Sequence, residues 1–176
     1  YMAIIDIVEK ISNKIDNNIF TAGVFIDLSK AFDTIDHAIS LDIMYLHGIR
    51  DVALNWFKSY LHNRKQYVQI YGAKSELSVF KCGVPQGSIL WPLLFILYIN
   101  DIINVSNIAN IVMFADDTNI FFSGKNLITL TATINSELDK ISNWFKLNRL
   151  SLNIKKTHYI LFCKRSRKLA FDAINI

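Results

Sequence analysis

Three carboxylates stand where strand-like patterns end. Asp27 follows the short apolar run "FTAGVFI", and Asp116 and Asp117 interrupt the apolar stretch "NIVMFADDTNIFFSG". Strand-forming residues on both sides of Ala115-Asp116-Asp117 predict a tight hairpin with the two acids at its tip. If the strand before Asp27 neighbours that hairpin, three carboxylates converge. Such convergence is costly unless a cation neutralises it, and hard divalent ions with oxygen ligands are the usual solution. Two Mg2+ ions about 4 Å apart, bridged by Asp27 and Asp116, would activate an attacking hydroxyl and stabilise a leaving oxygen in phosphoryl transfer. An Asp-Asp turn alone is a weak signal, since aspartate occupies turns and strand ends for local hydrogen-bonding reasons.

The elements that must position these acids are legible from periodicity. Ile4, Val8, Ile11 and Ile15 recur every three or four positions with Asp6, Glu9, Lys10 and Lys14 between them, the stripe of an amphipathic helix. Phe20 to Asp27 is too short for a helix and reads as a buried strand. A second helix is expected from Thr34 to Leu46, stopped by Gly48, and a third to Leu61 with Asp51 as its cap. "KQYVQIYG" and "ELSVFKCG" alternate as a pair of strands. "VPQGSILWPLLFILYINDII" couples a turn to a buried helix, with Pro92 in the first turn. Leu130, Ile134, Leu138, Ile141 and Phe145 share one face of a long helix from Leu127 to Leu147, and "THYILFC" closes as a strand. Strands bearing acids and alternating with helices give an α+β or α/β layer structure with the acids at one sheet edge.

Composition removes several function classes. The 176 residues fit one domain with one core, and 52% hydrophobic content with only 6 Gly and 2 Pro excludes disorder and collagen-like repeats. The longest apolar run, Ile89 to Ile99, is 11 residues and contains Pro92, well short of the ~20 needed to span a bilayer. Cys82 and Cys163 form no CxxC pair and no Cys/His cluster, so a disulfide framework and a zinc site are not expected. The histidines, His37, His47, His62 and His158, lack metal-ligand spacing. The net charge of +4 is uneven: residues 1–140 carry 11 Lys/Arg against 14 Asp/Glu, whereas residues 141–176 carry 8 against one. The basic end is a candidate surface for a polyanion, with a merely solvated face as the alternative.

Four motifs in order carry a more specific signal. "FIDLSKAFDTIDH", "GVPQGSILWPLLFILYIND", "FADDT" and "LNRLSLNIKKTHYI" resemble the reverse transcriptase domain of non-LTR retrotransposons over about residues 1–163. The resemblance implies an α+β right-hand polymerase palm, a small antiparallel sheet carrying catalytic aspartates and backed by helices. Residues 164–176 would begin a connection toward a thumb, or form a basic tail; fingers and thumb do not fit within the sequence. Asp27 matches the first catalytic aspartate and Asp116 and Asp117 the paired ones, so Asp27 and Asp116 would hold two Mg2+ ions, or Mn2+, with Asp117 secondary. Phe32 matches the aromatic steric gate that excludes a ribose 2′-hydroxyl; taken alone, it reads as a core residue. Gln86 would contact nucleotide or template, Gly87 would allow close backbone approach, and Lys156 would neutralise or protonate departing pyrophosphate. Trp56, Phe57 and Tyr60 read as core aromatics on a helix, leaving Arg64 and Lys65 free to face a backbone phosphate. Implied partners are an RNA template, a DNA primer and deoxynucleoside triphosphates, without a membrane, and the implied setting is nucleus or cytoplasm.

Two positions depart from the pattern. Trp91 precedes Pro92 where related domains carry glycine, and Arg149 replaces the glycine of "NGL". Bulky residues at a left-handed or close-contact position cost about 1 to 3 kcal/mol. Trp91 within the apolar run is expected to point into the core and overpack it. The competing reading is therefore a noncatalytic or decayed nucleic-acid-binding fragment of such an element.

Overall fold

The computed structural model describes residues 2–79, 82–84 and 87–165. Where the length predicts one core, the described residues gather into two compact units. One draws on Tyr1–Ser29, Ile102–Phe145 and Leu152–Ile176, the other on Lys30–Asp101 and Lys146–Ser151.

The first unit is built around a strand covered on both faces. β1 (Phe20–Ile26) is buried at every position except Phe25, because it is an inner strand of a four-stranded antiparallel sheet. Its partners are β7 (Asp117–Gly124) and β8 (His158–Phe162), with β6 (Asn110–Phe114) outside β7. This two-sided burial explains why the sequence shows a continuous apolar run rather than alternation. β8 sits on the edge and its first three residues are exposed. α1 (Met2–Asp16) packs against β1 and carries an exposed Lys10–Asp6 ion pair at 2.8 Å. α5 (Leu127–Leu147) has the bounds its periodicity predicts and buries Leu130, Ile134, Ile141 and Phe145. Glu137, only 3% exposed, shares that face. Its Oε1 accepts from Lys140 Nζ at 2.7 Å, and this contact, with a second hydrogen bond from Ser106, holds the carboxyl below the usual range against the opposing effect of burial.

The second unit is mainly helical. α2 (His37–Leu46) begins three residues later than the apolar pattern suggests. Asp36 Oδ1 accepts from the amides of Ala38 and Ile39 and so fixes the start. Thr34 instead donates to the carbonyls of Lys30 and Ala31 in the preceding turn. Asp51, expected as a cap, is the first residue of α3 (Asp51–Leu61); the cap position is Arg50, whose side chain makes no capping bond. The two predicted strands after α3 are broken into nested two-residue pairs. β2 (Lys65–Gln66) joins β5 (Ser78–Val79), and β3 (Gln69–Ile70) joins β4 (Ala73–Lys74), all exposed. α4 (Trp91–Ile99) buries Leu94, Phe95, Tyr98 and Ile99 and continues into a 3-10 turn, Asn100–Asn104. Among the described residues, no helix is long and apolar enough to cross a membrane.

Candidate active site

Strand register brings the three acids to one end of the sheet. Ile26, the last residue of β1, pairs with Thr118, the second of β7. Asp27 therefore emerges one residue beyond the ladder on the side where β7 begins with Asp117 and the turn holds Asp116. The hairpin is tight: Phe114 pairs with Asp117, leaving Ala115 and Asp116 as the two-residue turn. Asp117 thus opens the strand instead of sharing the tip with Asp116. Ala115 adopts φ +55°, the left-handed geometry such turns require and glycine adopts more cheaply, so the turn stores strain of about 1 kcal/mol.

Asp27 is held through its backbone. Its carbonyl accepts from the Asn153 amide at 2.9 Å, its amide donates to Thr157 Oγ1 at 3.4 Å, and Leu28 bridges to Leu152. These bonds hang the turn that carries exposed Lys155 and Lys156 directly on the first acid's backbone. Asn153 and Thr157 are the residues that anchor this turn, and motif reading passed over both.

Asp27 and Asp116 are half-buried and Asp117 exposed. Among the described residues, no hydrogen bond or ion pair engages any of the three carboxylates, and no group of three His, Cys, Asp or Glu side chains stands ready around a metal position. The acids share an edge without forming a closed ligand shell. Oxygen-only donors lacking a protein cation fit a hard divalent ion, with Asp27 and Asp116 as the residues to hold it.

In the second unit the predicted gate residue lies in an aromatic cluster. The half-buried Phe32 ring lies 4.0 Å from Trp91 and 4.5 Å from Phe95, centroid to centroid. Its carbonyl accepts from the Val84 amide at 3.1 Å, the Gly83 amide donates to Ile35 at 2.7 Å, and His37 Nε2 bonds the Gly83 carbonyl at 2.7 Å. A Cβ at Gly83 would lie 2.7 Å from the Asp33 carbonyl oxygen, and φ is +80° there. Gly83, which the motif reading left unassigned, is a glycine of close approach within the chain itself. Gly87, expected to allow close backbone approach beside a nascent base pair, has φ +81° and, among the described residues, no atom within 4 Å of its Cβ position. Gln86 lies outside the described residues.

Trp91 is half-buried at the start of α4, and among the described residues its enclosed Nε1 has no hydrogen-bond partner. Arg149 occupies φ +54°, so its position does favour glycine. Its guanidinium donates to Oδ2 of Asp36, the cap of α2. Tyr98 OH accepts from the Asp36 amide and donates to the Asn148 carbonyl at 2.7 Å, and burial pushes its phenol up to about 12. Trp56 corrects the expectation of a core aromatic: it is 53% exposed, and α3 buries only Leu61. Trp56 stacks on Tyr60, one helical turn on, at 5.4 Å, and the Arg64 guanidinium, beyond the end of α3, covers the Tyr60 ring at 4.7 Å. Arg64 and Lys65 are both exposed, as expected.

Comparison with known proteins agrees with this geometry. The chain is 26% identical over 166 residues to the RNA-directed DNA polymerase from mobile element jockey of Drosophila melanogaster, covering 86% of this chain and 17% of the relative. It is 27% identical to the probable RNA-directed DNA polymerase from transposon X-element of the same species, covering 92% and 18%. The chain thus spans less than a fifth of these curated relatives. Among solved structures, telomerase from Candida tropicalis in complex with a fragment of telomeric RNA superposes with a TM-score of 0.68 at 14% identity, covering 90% of this chain and 29% of that one. The apo telomerase truncated from its C-terminal domain gives 0.65 at 17% identity. These likenesses establish the right-hand polymerase fold. The family model for reverse transcriptase (RNA-dependent DNA polymerase) matches residues 4–172, nearly the whole sequence, and the chain belongs to that family.

Proposed function

We propose that this domain supplies the catalytic palm of an RNA-directed DNA polymerase that extends a DNA primer on an RNA template from deoxynucleoside triphosphates. The observation that carries the reading is the register of β1 against β7, which sets Asp27 at the same sheet end as Asp116 and Asp117. The family generally uses divalent metal ions; Asp27 and Asp116 would hold two Mg2+, or Mn2+, which would supply activation of the primer 3′-hydroxyl and stabilisation of the leaving pyrophosphate oxygen. Asp117 adds negative potential beside them. Lys156, on the turn bonded to Asp27, neutralises or protonates departing pyrophosphate. Phe32 excludes a ribose 2′-hydroxyl, Gln86 and Gly87 border the nascent base pair, and Arg64 and Lys65 hold a backbone phosphate.

A noncatalytic reading has two observations in its favour: Arg149 stands at a left-handed position, and the Trp91 indole N–H has no partner among the described residues. Metal titration of the chain separates the two. Mg2+ or Mn2+ at low salt raises the melting temperature because the folded state alone binds it, and the Asp27→Asn/Asp116→Asn double variant loses that increase. An equal increase in the double variant rejects the assignment of the metal ligands.

A further inference from the structure

The aromatic cluster of the second unit has a composition that neither its apolar character nor the motif resemblance requires. Phe32 is contacted by two aromatic side chains, Trp91 at 4.0 Å with ring planes inclined by 30°, and Phe95 at 4.5 Å inclined by 50°. Phe95 is fully buried, whereas Phe32 and Trp91 are each half-buried, so the pair lies where the core meets the surface. The backbone of Phe32 is fixed separately by the Val84 amide. Ring orientation then remains to be set by whatever lies against the ring. Among the described residues, Trp91 Nε1 is enclosed without a hydrogen-bond partner, so the indole is held by its ring contacts. With glycine at position 91, the residue that the motif resemblance expects, that face of Phe32 would have no ring against it and its χ1 would be freer to change rotamer.

We infer that Trp91 is a positioning residue for sugar selection, its indole holding Phe32 in the one orientation that excludes a 2′-hydroxyl. The inference rests on the reading of Phe32 as the gate. A gate discriminates by a clash, and a clash excludes only if the obstructing ring cannot turn aside. Trp91 therefore acts through Phe32 on specificity, without touching the nucleotide. The bulky substitution becomes a stiffener of selectivity instead of a lesion.

The test uses the complete reverse transcriptase carrying this domain, with oligo(dA)-primed poly(rU) as template and dATP against ATP as substrates. Trp91→Leu is expected to raise the kcat/KM ratio for ATP over dATP by about tenfold, an increment worth 1.4 kcal/mol, chiefly by admitting ATP. Trp91→Phe, which keeps an aromatic ring, restores most of the discrimination. Phe32→Ala raises the ratio at least as much, and Trp91→Leu adds nothing in its presence, because both act through the same ring. If Phe32→Ala relaxes selection and Trp91→Leu does not, the role of Trp91 is overturned while the gate stands. If Phe32→Ala changes nothing, the gate reading fails, and the inference with it. Should Trp91→Leu fail to fold, Trp91→Met, of about leucine's volume but unbranched and better able to adapt to the site, carries the same comparison.

Discussion

The acid-bearing sheet end and the Phe32 cluster are positioned by different physics. The sheet end is set by main-chain hydrogen bonds: β1 pairs with β7 over seven positions and with β8 over five, and the Asp27 carbonyl and amide are each bonded. Side-chain changes on the exposed edge leave that ladder intact. The cluster is set by ring stacking, by one glycine pressed against a neighbouring carbonyl and by an aspartate shared between a helix start and a guanidinium. Both departures from the family pattern, Trp91 and Arg149, fall in this second region. A backbone-determined site absorbs sequence change until an acid itself is lost, whereas a packing-determined site changes its properties with each substitution.

The largest expected effect breaks the first region chemically without disturbing it structurally. Asp116→Asn in the complete polymerase should lower primer-extension turnover by about a thousandfold or more while template affinity stays within about twofold, since a metal ligand acts mainly on the transition state. Filter binding alongside single-turnover extension checks both halves. Next, Gly83→Ala should destabilise the second region by about 2 to 4 kcal/mol, because the added carbon meets the Asp33 carbonyl and φ is left-handed. Gly87→Ala, with strain but no clash, should cost only about 1 kcal/mol in the same denaturant melts.

The pH dependence of stability should separate the two regions. Glu137 has its folded pKa depressed, so its contribution is present above the ordinary carboxyl range and is lost as pH falls through that range and below. Tyr98 has its folded pKa raised to about 12, so its contribution is complete below the unfolded value near 10 and is lost as pH rises toward 12. Glu137→Gln should therefore flatten the acid limb of a stability profile and Tyr98→Phe the alkaline limb. Interchanged limbs would contradict the stated couplings. The smallest effect concerns Arg149. Arg149→Ala keeps the left-handed backbone but loses the bond to Asp36, a contact discounted because the arginine is 70% exposed, and should cost about 1 kcal/mol. Arg149→Gly relieves the backbone strain as it loses the contact and should fall within about 0.5 kcal/mol of the parent.

Much of the first region was legible because its signals are local. The long helix has the bounds its heptad-like stripe implies, β1 ends just before Asp27, and the hairpin turn falls beside Asp116. The four ordered motifs carried the family assignment. The exposure of Trp56 was not legible, since an aromatic at helical spacing reads as core until the rest of the surface is known. Nor was Asp36 as the start of α2, because apolar periodicity runs through Thr34 and Ile35 without marking a boundary.

The sequence by itself determined the long helices and the strands that carry the acids, because periodicity and turn chemistry act over a few residues; it did not determine the start of α2 or the broken pairs β2–β5 and β3–β4. Tertiary structure alone decided how β1 pairs with β7 and β8, and at what register, since that pairing joins residues more than ninety positions apart. It likewise decided that Gly83 lies against the Asp33 backbone, and that Trp91 lies against Phe32. Such outcomes depend on where distant atoms compete for the same few ångströms, and no local pattern encodes that competition.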